Sequence, residues 1–171
     1  ELVDVGDNSG YYYTALPSLT DVCVSSDFRS DWNGISWISL ETRRNTSDGL
    51  YIASFDNRYD YSLGKNYVPV KSGQFPNGGL DTGWHNIKFC SVGTTHSLYL
   101  DNDLLDSFID STYSSGYVGF DSANGIRMDN FTITSVDQSI NLDVPILKQT
   151  NPTWKNQTYD SANLWNSSDP S

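Results

Sequence analysis

Residues 84–110 read WHNIKFCSVGTTHSLYLDNDLLDSFID. From Trp84 to Val92 the apolar Ile87 and Phe89 share one parity and Cys90 takes the other, the period of two that belongs to strands. Thr95 to Asp101 and Leu104 to Asp110 are two further short runs. Asp101-Asn102-Asp103 between them reads as a tight hairpin, because Asn102 tolerates a left-handed backbone. The stretch predicts three consecutive antiparallel strands. The same rhythm gives strands over Tyr11 to Ala15, Asp21 to Arg29, Ile35 to Thr42, Leu50 to Asp56, Tyr67 to Pro69, Tyr117 to Ser122 and Gly125 to Ser135. Turn residues separate them, as in Trp32-Asn33-Gly34, Ser47-Asp48-Gly49, Pro76-Asn77-Gly78-Gly79 and Ser114-Ser115-Gly116. Helical periodicity is nearly absent, so the chain reads as an all-β sandwich or barrel.

Composition agrees. The 171 residues amount to one domain, or one domain with a tail. Asp, Asn, Ser, Thr, Gly and Tyr are plentiful, and of 21 acidic residues only Glu1 and Glu41 are glutamate. Lys plus Arg number 10, for a net charge of −11. That charge argues against duplex nucleic acid and anionic membrane surfaces as partners, since both need clustered positive charge. No apolar run approaches the roughly 20 residues of a membrane span. The chain opens at Glu1 without Met and stops abruptly at Ser171, which reads as a piece of a longer precursor.

Cys23 and Cys90 are too few for a tetrahedral zinc site, leaving a disulfide or two free core thiols. Val22 and Val24 oppose Cys23 in parity, as Ile87 and Phe89 oppose Cys90. If the two strands are neighbours, a bond between them is feasible and adds about 3–4 kcal/mol. Sequons at Asn45, Asn130, Asn156 and Asn166 tilt the reading to an extracellular or cell-surface glycoprotein. The alternation fades near Val136, so residues 1–136 read as the sandwich and 137–171 as an extended linker or tail.

Residues 20 to 133 resemble concanavalin A-like lectin and glucanase jelly-roll modules of the laminin-G type. The resemblance rests on Gly83-Trp84-His85-Asn86-Ile87-Lys88-Phe89, then Leu98-Tyr99-Leu100-Asp101-Asn102, then Tyr113-Ser114-Ser115-Gly116-Tyr117-Val118-Gly119-Phe120 and Asp129-Asn130-Phe131-Thr132-Ile133. It implies two antiparallel sheets, one of them often glycan-binding. The usual opening strand precedes the part matched here, so a first strand is expected to be missing or replaced. Glucanases of this type need a Glu-x-Asp-x-x-Glu arrangement, and Glu41 is followed by Thr42-Arg43-Arg44-Asn45-Thr46 instead. That departure removes the glucanase activity, and neither His85 nor His96 has an evident nucleophile partner in the sequence. Residues 143–165 resemble the opening of a papain-like cysteine peptidase of the bacteriocin-processing type, through Asp143-Val144-Pro145-Ile146-Leu147, Asn151-Pro152-Thr153-Trp154 and Leu164-Trp165.

Trp37, Ser39, Glu41 and Arg43 share one parity, opposite Ile38 and Leu40. A ring beside a carboxylate and a guanidinium suits a sugar, and Tyr51, Tyr59 and Tyr61 are candidates for the same groove. The bland alternative is a core Trp37 with a weak Glu41–Arg43 surface pair. Asp129 lies where the resemblance places a structural Ca²⁺, and is the first ligand expected for one. The expectation is a jelly-roll sandwich with an extended C-terminal tail, acting as a non-catalytic carbohydrate-recognition module on a cell-surface polysaccharide. The alternative is a filament or surface-layer subunit assembled by strand or tail exchange, filling an exposed edge.

Overall fold

A computed structural model describes residues 2–3, 9–13, 18–30, 37–45, 49–56, 59–76, 79–123, 126–135 and 148–149. The strands are β1 (Leu2–Val3), β2 (Ser9–Tyr13), β3 (Val22–Ser30), β4 (Trp37–Arg44), β5 (Tyr51–Asp56), β6 (Asp60–Lys65), β7 (Val68–Gln74), β8 (His85–Val92), β9 (Thr95–Leu100), β10 (Asp103–Ile109), β11 (Tyr117–Ala123), β12 (Ile126–Ser135) and β13 (Lys148–Gln149). They form two antiparallel sheets. One runs β1-β12-β3-β8-β9-β10 and the other β13-β2-β11-β4-β5-β6-β7. Residues 136–147 and 150–171 lie outside the described residues, and with them Asn156, Asn166, nearly all of the peptidase-like segment and the boundary at 136.

Alternation builds the core. Val22, Val24, Phe28, Ile87, Phe89 and Leu98 point inward from the six-stranded sheet and meet Ile38, Leu40, Ala53, Phe55, Leu63, Val118 and Phe120 from the seven-stranded one. Phe28 and Phe55 stack across the layers with centroids 5.8 Å apart, and Phe75 stacks on Phe55 at 5.4 Å. Cys23 and Cys90 are register partners on the outward parity of β3 and β8, and a disulfide joins them with 4.0 Å between Cα atoms. The hairpin at Asp101-Asn102 has left-handed φ values of 51° and 73°.

In place of the single strand expected over Tyr67 to Pro69 there are two, β6 and β7. Their turn is Asn66-Tyr67, with φ of 53° and 61°. Asn66 Oδ1 accepts from the Leu50 amide at 3.2 Å and the Tyr113 hydroxyl at 3.0 Å, which holds the turn in place. That support comes from distant residues and leaves no local signal. At the N-terminus, β1 pairs with β12 through Leu2 and Val3 and flanks the six-stranded sheet, where the opening strand was expected to be missing or replaced.

The sheet edges matter for the filament alternative. β7 carries Pro69, Lys71 and a register shift at Leu63/Gly64 in its pairing with β6. β10 has a shift between Leu104 and Asp106. Proline, charge and irregularity are the devices by which sheets discourage edge pairing. Lys71 of β7 also bonds Asp106 of β10 at 2.7 Å, tying these two edges to each other.

Candidate functional site

Trp37, Ser39 and Glu41 leave the outer face of β4, as their parity requires, because Ile38 and Leu40 occupy the core. Next to them across the sheet lie Ser54 on β5, Ser62 on β6 and Ser72 on β7, each the Cα partner of the last, with Asp121 of β11 on the other side of Ser39. A row of small polar side chains thus crosses five strands. Trp37 and Asp60 border it on one side, and Glu41, Ile52 and Gly64 on the other. Ser39 Oγ is buried and has no hydrogen-bond partner. At the β6–β7 end the row opens into a pocket of about 330 Å³ lined by Asp60, Tyr61, Ser62, Pro69, Ser72, Gly73 and Gln74.

Arg43 departs from the predicted groove. Its φ of 51° and the register shift opposite Tyr117/Gly119 mark a bulge in β4. A bulge inserts one residue and reverses the parity after it. Arg43 therefore turns inward and is 2% exposed, donating to the Thr20 carbonyl at 2.8 Å, the Tyr113 carbonyl at 3.0 Å and Asp21 Oδ1 at 3.2 Å. Arg44 takes the outer position in its place. Its Nη1 lies 2.6 Å from Glu41 Oε2 and 2.9 Å from the Tyr67 hydroxyl, which is itself 3.3 Å from Glu41 Oε1.

The sequence alone does not show this Glu41–Arg44–Tyr67 cluster: Arg44 is one residue out of phase with Glu41, and Tyr67 sits on the turn between β6 and β7. Glu41 is only 2% exposed. Burial raises its carboxyl pKa, against the lowering effect of Arg44 and Tyr67. Burial lowers that of Arg44, but the Glu41 charge and hydrogen bond outweigh it and hold Arg44 above its usual range. Glu41 is thus a positioning group that fixes Arg44 and Tyr67. Tyr67, 52% exposed, presents its ring to solvent.

The three other tyrosines also fall away from the predicted groove. Tyr51 is a core residue on the inner parity of β5, its ring 3.6 Å from His96 and its hydroxyl 2.6 Å from Asp110 Oδ1. Tyr61 has inner parity and packs on Phe75 at 5.7 Å, and is one of the residues lining the pocket at the β6–β7 end. Tyr59 is an exposed turn residue. Aromatic type alone suggests all three for the groove, and parity sends Tyr51 and Tyr61 to the other side of the sheet.

His96 has a serine partner after all. Its Nδ1 is 2.8 Å from Ser91 Oγ, which is 2.6 Å from Thr42 Oγ1, and its Nε2 is 3.0 Å from the Asp110 carbonyl. Ser91, Thr42 and His96 are each 0% exposed, so the group is a sealed link between the sheets. His85 opens β8, 2.9 Å from Asp101 Oδ2 and 3.2 Å from Asp81 Oδ1.

Asp129 faces out of β12 opposite Asp27. Asp27 is engaged by the side-chain amides of Asn86 and Asn130 at 2.7 Å each, and Asp129 Oδ1 accepts from the Asn130 backbone N–H at 2.8 Å. Among the described residues no three His, Cys, Asp or Glu side chains converge on a common point. Asn130 and Asn45 are both exposed. Asn45 Oδ1 accepts from the Gly49 amide at 2.9 Å.

No protein-family model matches the sequence, and no curated protein matches it. Solved structures do match in shape. A carbohydrate-binding module, CBM66, from Bacillus subtilis aligns with a TM-score of 0.55 at 20% identity, over 68% of this chain and 76% of that one. Galectin LEC-6 of Caenorhabditis elegans aligns at 0.54 and 10% identity, over 77% and 94%. A Bacteroides ovatus GH16 protein in complex with a mixed-linkage glucan product aligns at 0.53 and 15% identity, over 72% of each chain. The two sheets, their order and these likenesses make the described part of this chain, in fold, a concanavalin A-like jelly-roll sandwich.

Proposed function

We propose that this chain is a non-catalytic carbohydrate-recognition module of an extracellular or surface protein, and that it binds sugar on the outer face of the seven-stranded sheet. One observation carries this reading: the serine row of that face runs between Trp37 and the Glu41–Arg44–Tyr67 cluster. A sugar offers one apolar ring face and a belt of hydroxyls. Trp37 and Tyr67 suit the ring face, and Arg44, Ser54, Ser62 and Asp60 suit the hydroxyls. Glu41 keeps Arg44 in a fixed pose, lowering the ordering cost of binding. The carbohydrate-binding and galectin neighbours support the reading through a shared fold.

The test is a glycan array followed by calorimetry, with Trp37→Ala and Tyr67→Ala as controls. Binding of a neutral glycan that weakens about tenfold in either variant supports the site. Binding indifferent to both variants, or none across the array, refutes it. The filament alternative predicts concentration-dependent assembly, and the proline, charge and irregularity at β7 and β10 favour a monomer.

A further inference from the structure

The outer face of the seven-stranded sheet has a sign of charge as well as a shape. Among the described side chains of β4 to β7 and β11 it carries Glu41, Asp60 and Asp121 against one cation, Arg44. Glu41 holds that cation at 2.6 Å, so the pair is locally neutral. The other cations of these strands turn away from the face. Arg43 goes inward to Asp21 at 3.2 Å, and Lys65 and Lys71 reach Asp110 and Asp106 beside β10 at 2.8 and 2.7 Å. Asp60 is placed differently. It is exposed, it stands in the wall of the pocket of about 330 Å³, and it accepts from a neutral group, the Gln74 side-chain amide, at 3.2 Å. Ser62 and Ser72 bring hydroxyls to the same pocket and Pro69 an apolar ring. Ser39, farther along the serine row, keeps a buried hydroxyl without a hydrogen-bond partner, so the fold alone does not satisfy the row. A carboxylate on the wall of an open pocket, on a chain of net charge −11, favours a positively charged guest.

We propose that this groove selects a glycan with free amino groups, and that Asp60 takes the ammonium of one unacetylated amino sugar in the β6–β7 pocket. The inference rests on the carbohydrate reading above and names the class of sugar. An aminated sugar ring still offers an apolar face to Trp37 or Tyr67, and its hydroxyls still meet Ser54 and Ser62. Its ammonium adds donors that a hydroxyl lacks. The Asp60 carboxylate accepts one in a charge-assisted bond, and the Ser62 and Ser72 hydroxyls have lone pairs for others. The net charge of −11 draws a cationic chain toward the protein and repels a uronic or sulfated one. That long-range pull is screened beyond about 8 Å at physiological salt, so contact with Asp60 makes the choice.

The test is calorimetric titration of the full chain at about pH 6, below the range in which amines titrate. The probes are a β-linked glucosamine oligomer, the same oligomer fully N-acetylated, and a lysine oligomer of equal charge. The glucosamine oligomer is expected to bind about tenfold more tightly than its acetylated counterpart, because charge-assisted contacts replace neutral ones. Asp60→Asn should weaken the glucosamine oligomer about fivefold, the upper end for a solvent-open ion pair, and leave the acetylated one nearly unchanged. Asp103→Asn removes the same unit of charge from the exposed start of β10, on the other sheet, and should change neither. Trp37→Ala should weaken both sugars, since they share the groove. Equal binding of the two oligomers, each weakened by Trp37→Ala, overturns the amino-sugar inference and leaves the carbohydrate reading standing. Binding of neither, or binding indifferent to Trp37→Ala, overturns both. A lysine oligomer bound as tightly as the glucosamine oligomer, or an equal loss in Asp103→Asn, reduces the effect to bulk charge and also overturns the inference.

Discussion

Acidification should destabilise this protein in a window set by His96. The hydrogen-bond geometry fixes the tautomer. Nε2 faces a carbonyl, so it carries the proton, and Nδ1 accepts from Ser91, which accepts in turn from Thr42. Protonating Nδ1 turns that acceptor into a donor and reverses the chain inside a sealed layer. Burial is the main cause that lowers the His96 pKa, from 6.5 to about 4. The folded state thus binds the proton less readily than the unfolded chain. Stability is fully present above about pH 6.5 and is lost as pH falls to about 4. At 1.36 kcal/mol per tenfold change in proton activity, the loss amounts to about 3 kcal/mol. Urea unfolding at pH 7, 5.5 and 4.5 reads it directly. His96→Gln keeps an acceptor and a donor but cannot titrate, so its stability should be nearly flat over that window. A wild-type slope reproduced by His96→Gln refutes the reasoning. So does a native His96 ring titrating near 6.5 by NMR, which needs no variant to fold. Asp110 supplies a separate, lower window. Burial raises its pKa, but hydrogen bonds from Lys65, Tyr51 and Thr112 outweigh this and hold it below the usual carboxylate range.

Other outcomes follow from the same contacts. Arg43→Ala removes three hydrogen bonds and leaves Asp21 without its 3.2 Å partner; we expect a loss of about 3–5 kcal/mol in urea unfolding. Reducing the Cys23–Cys90 bond, which spans 67 residues, should lower stability by about 4 kcal/mol on the chain-entropy account, measured as a shifted urea midpoint with and without reductant. Gly116→Ala should lower the melting temperature, because a Cβ there would collide with the Arg43 backbone carbon. Were that variant as stable as the wild type, the close approach of Gly116 to the β4 bulge would be disproved.

Much of the sandwich is legible in the sequence because a strand has a strict period of two. Ile87, Phe89 and Cys90 state which side of β8 is core, and Val22, Val24 and Cys23 state the same for β3. Once those strands are neighbours, the cysteines can meet only on the outer side, and they do. Trp37, Ser39 and Glu41 follow the same rule from Ile38 and Leu40. Parity also holds for Tyr51 and Tyr61, which aromatic type alone would place in the groove.

The rest belonged to tertiary structure. A single inserted residue in β4 exchanges Arg43 for Arg44 at the site, and a bulge is visible only against the strand it pairs with. Tyr67 reaches Glu41 across 26 positions of chain, from a turn held by Leu50 and Tyr113. The Ser91–His96 pair is five residues apart in sequence, yet its character comes from burial beneath Tyr51 and the Thr42 hydroxyl of the other sheet. The local alternation of apolar and polar residues determined the layers and most of their faces. The packing of one sheet on the other decided which charged groups meet, since those distances depend on register and burial and not on chain order.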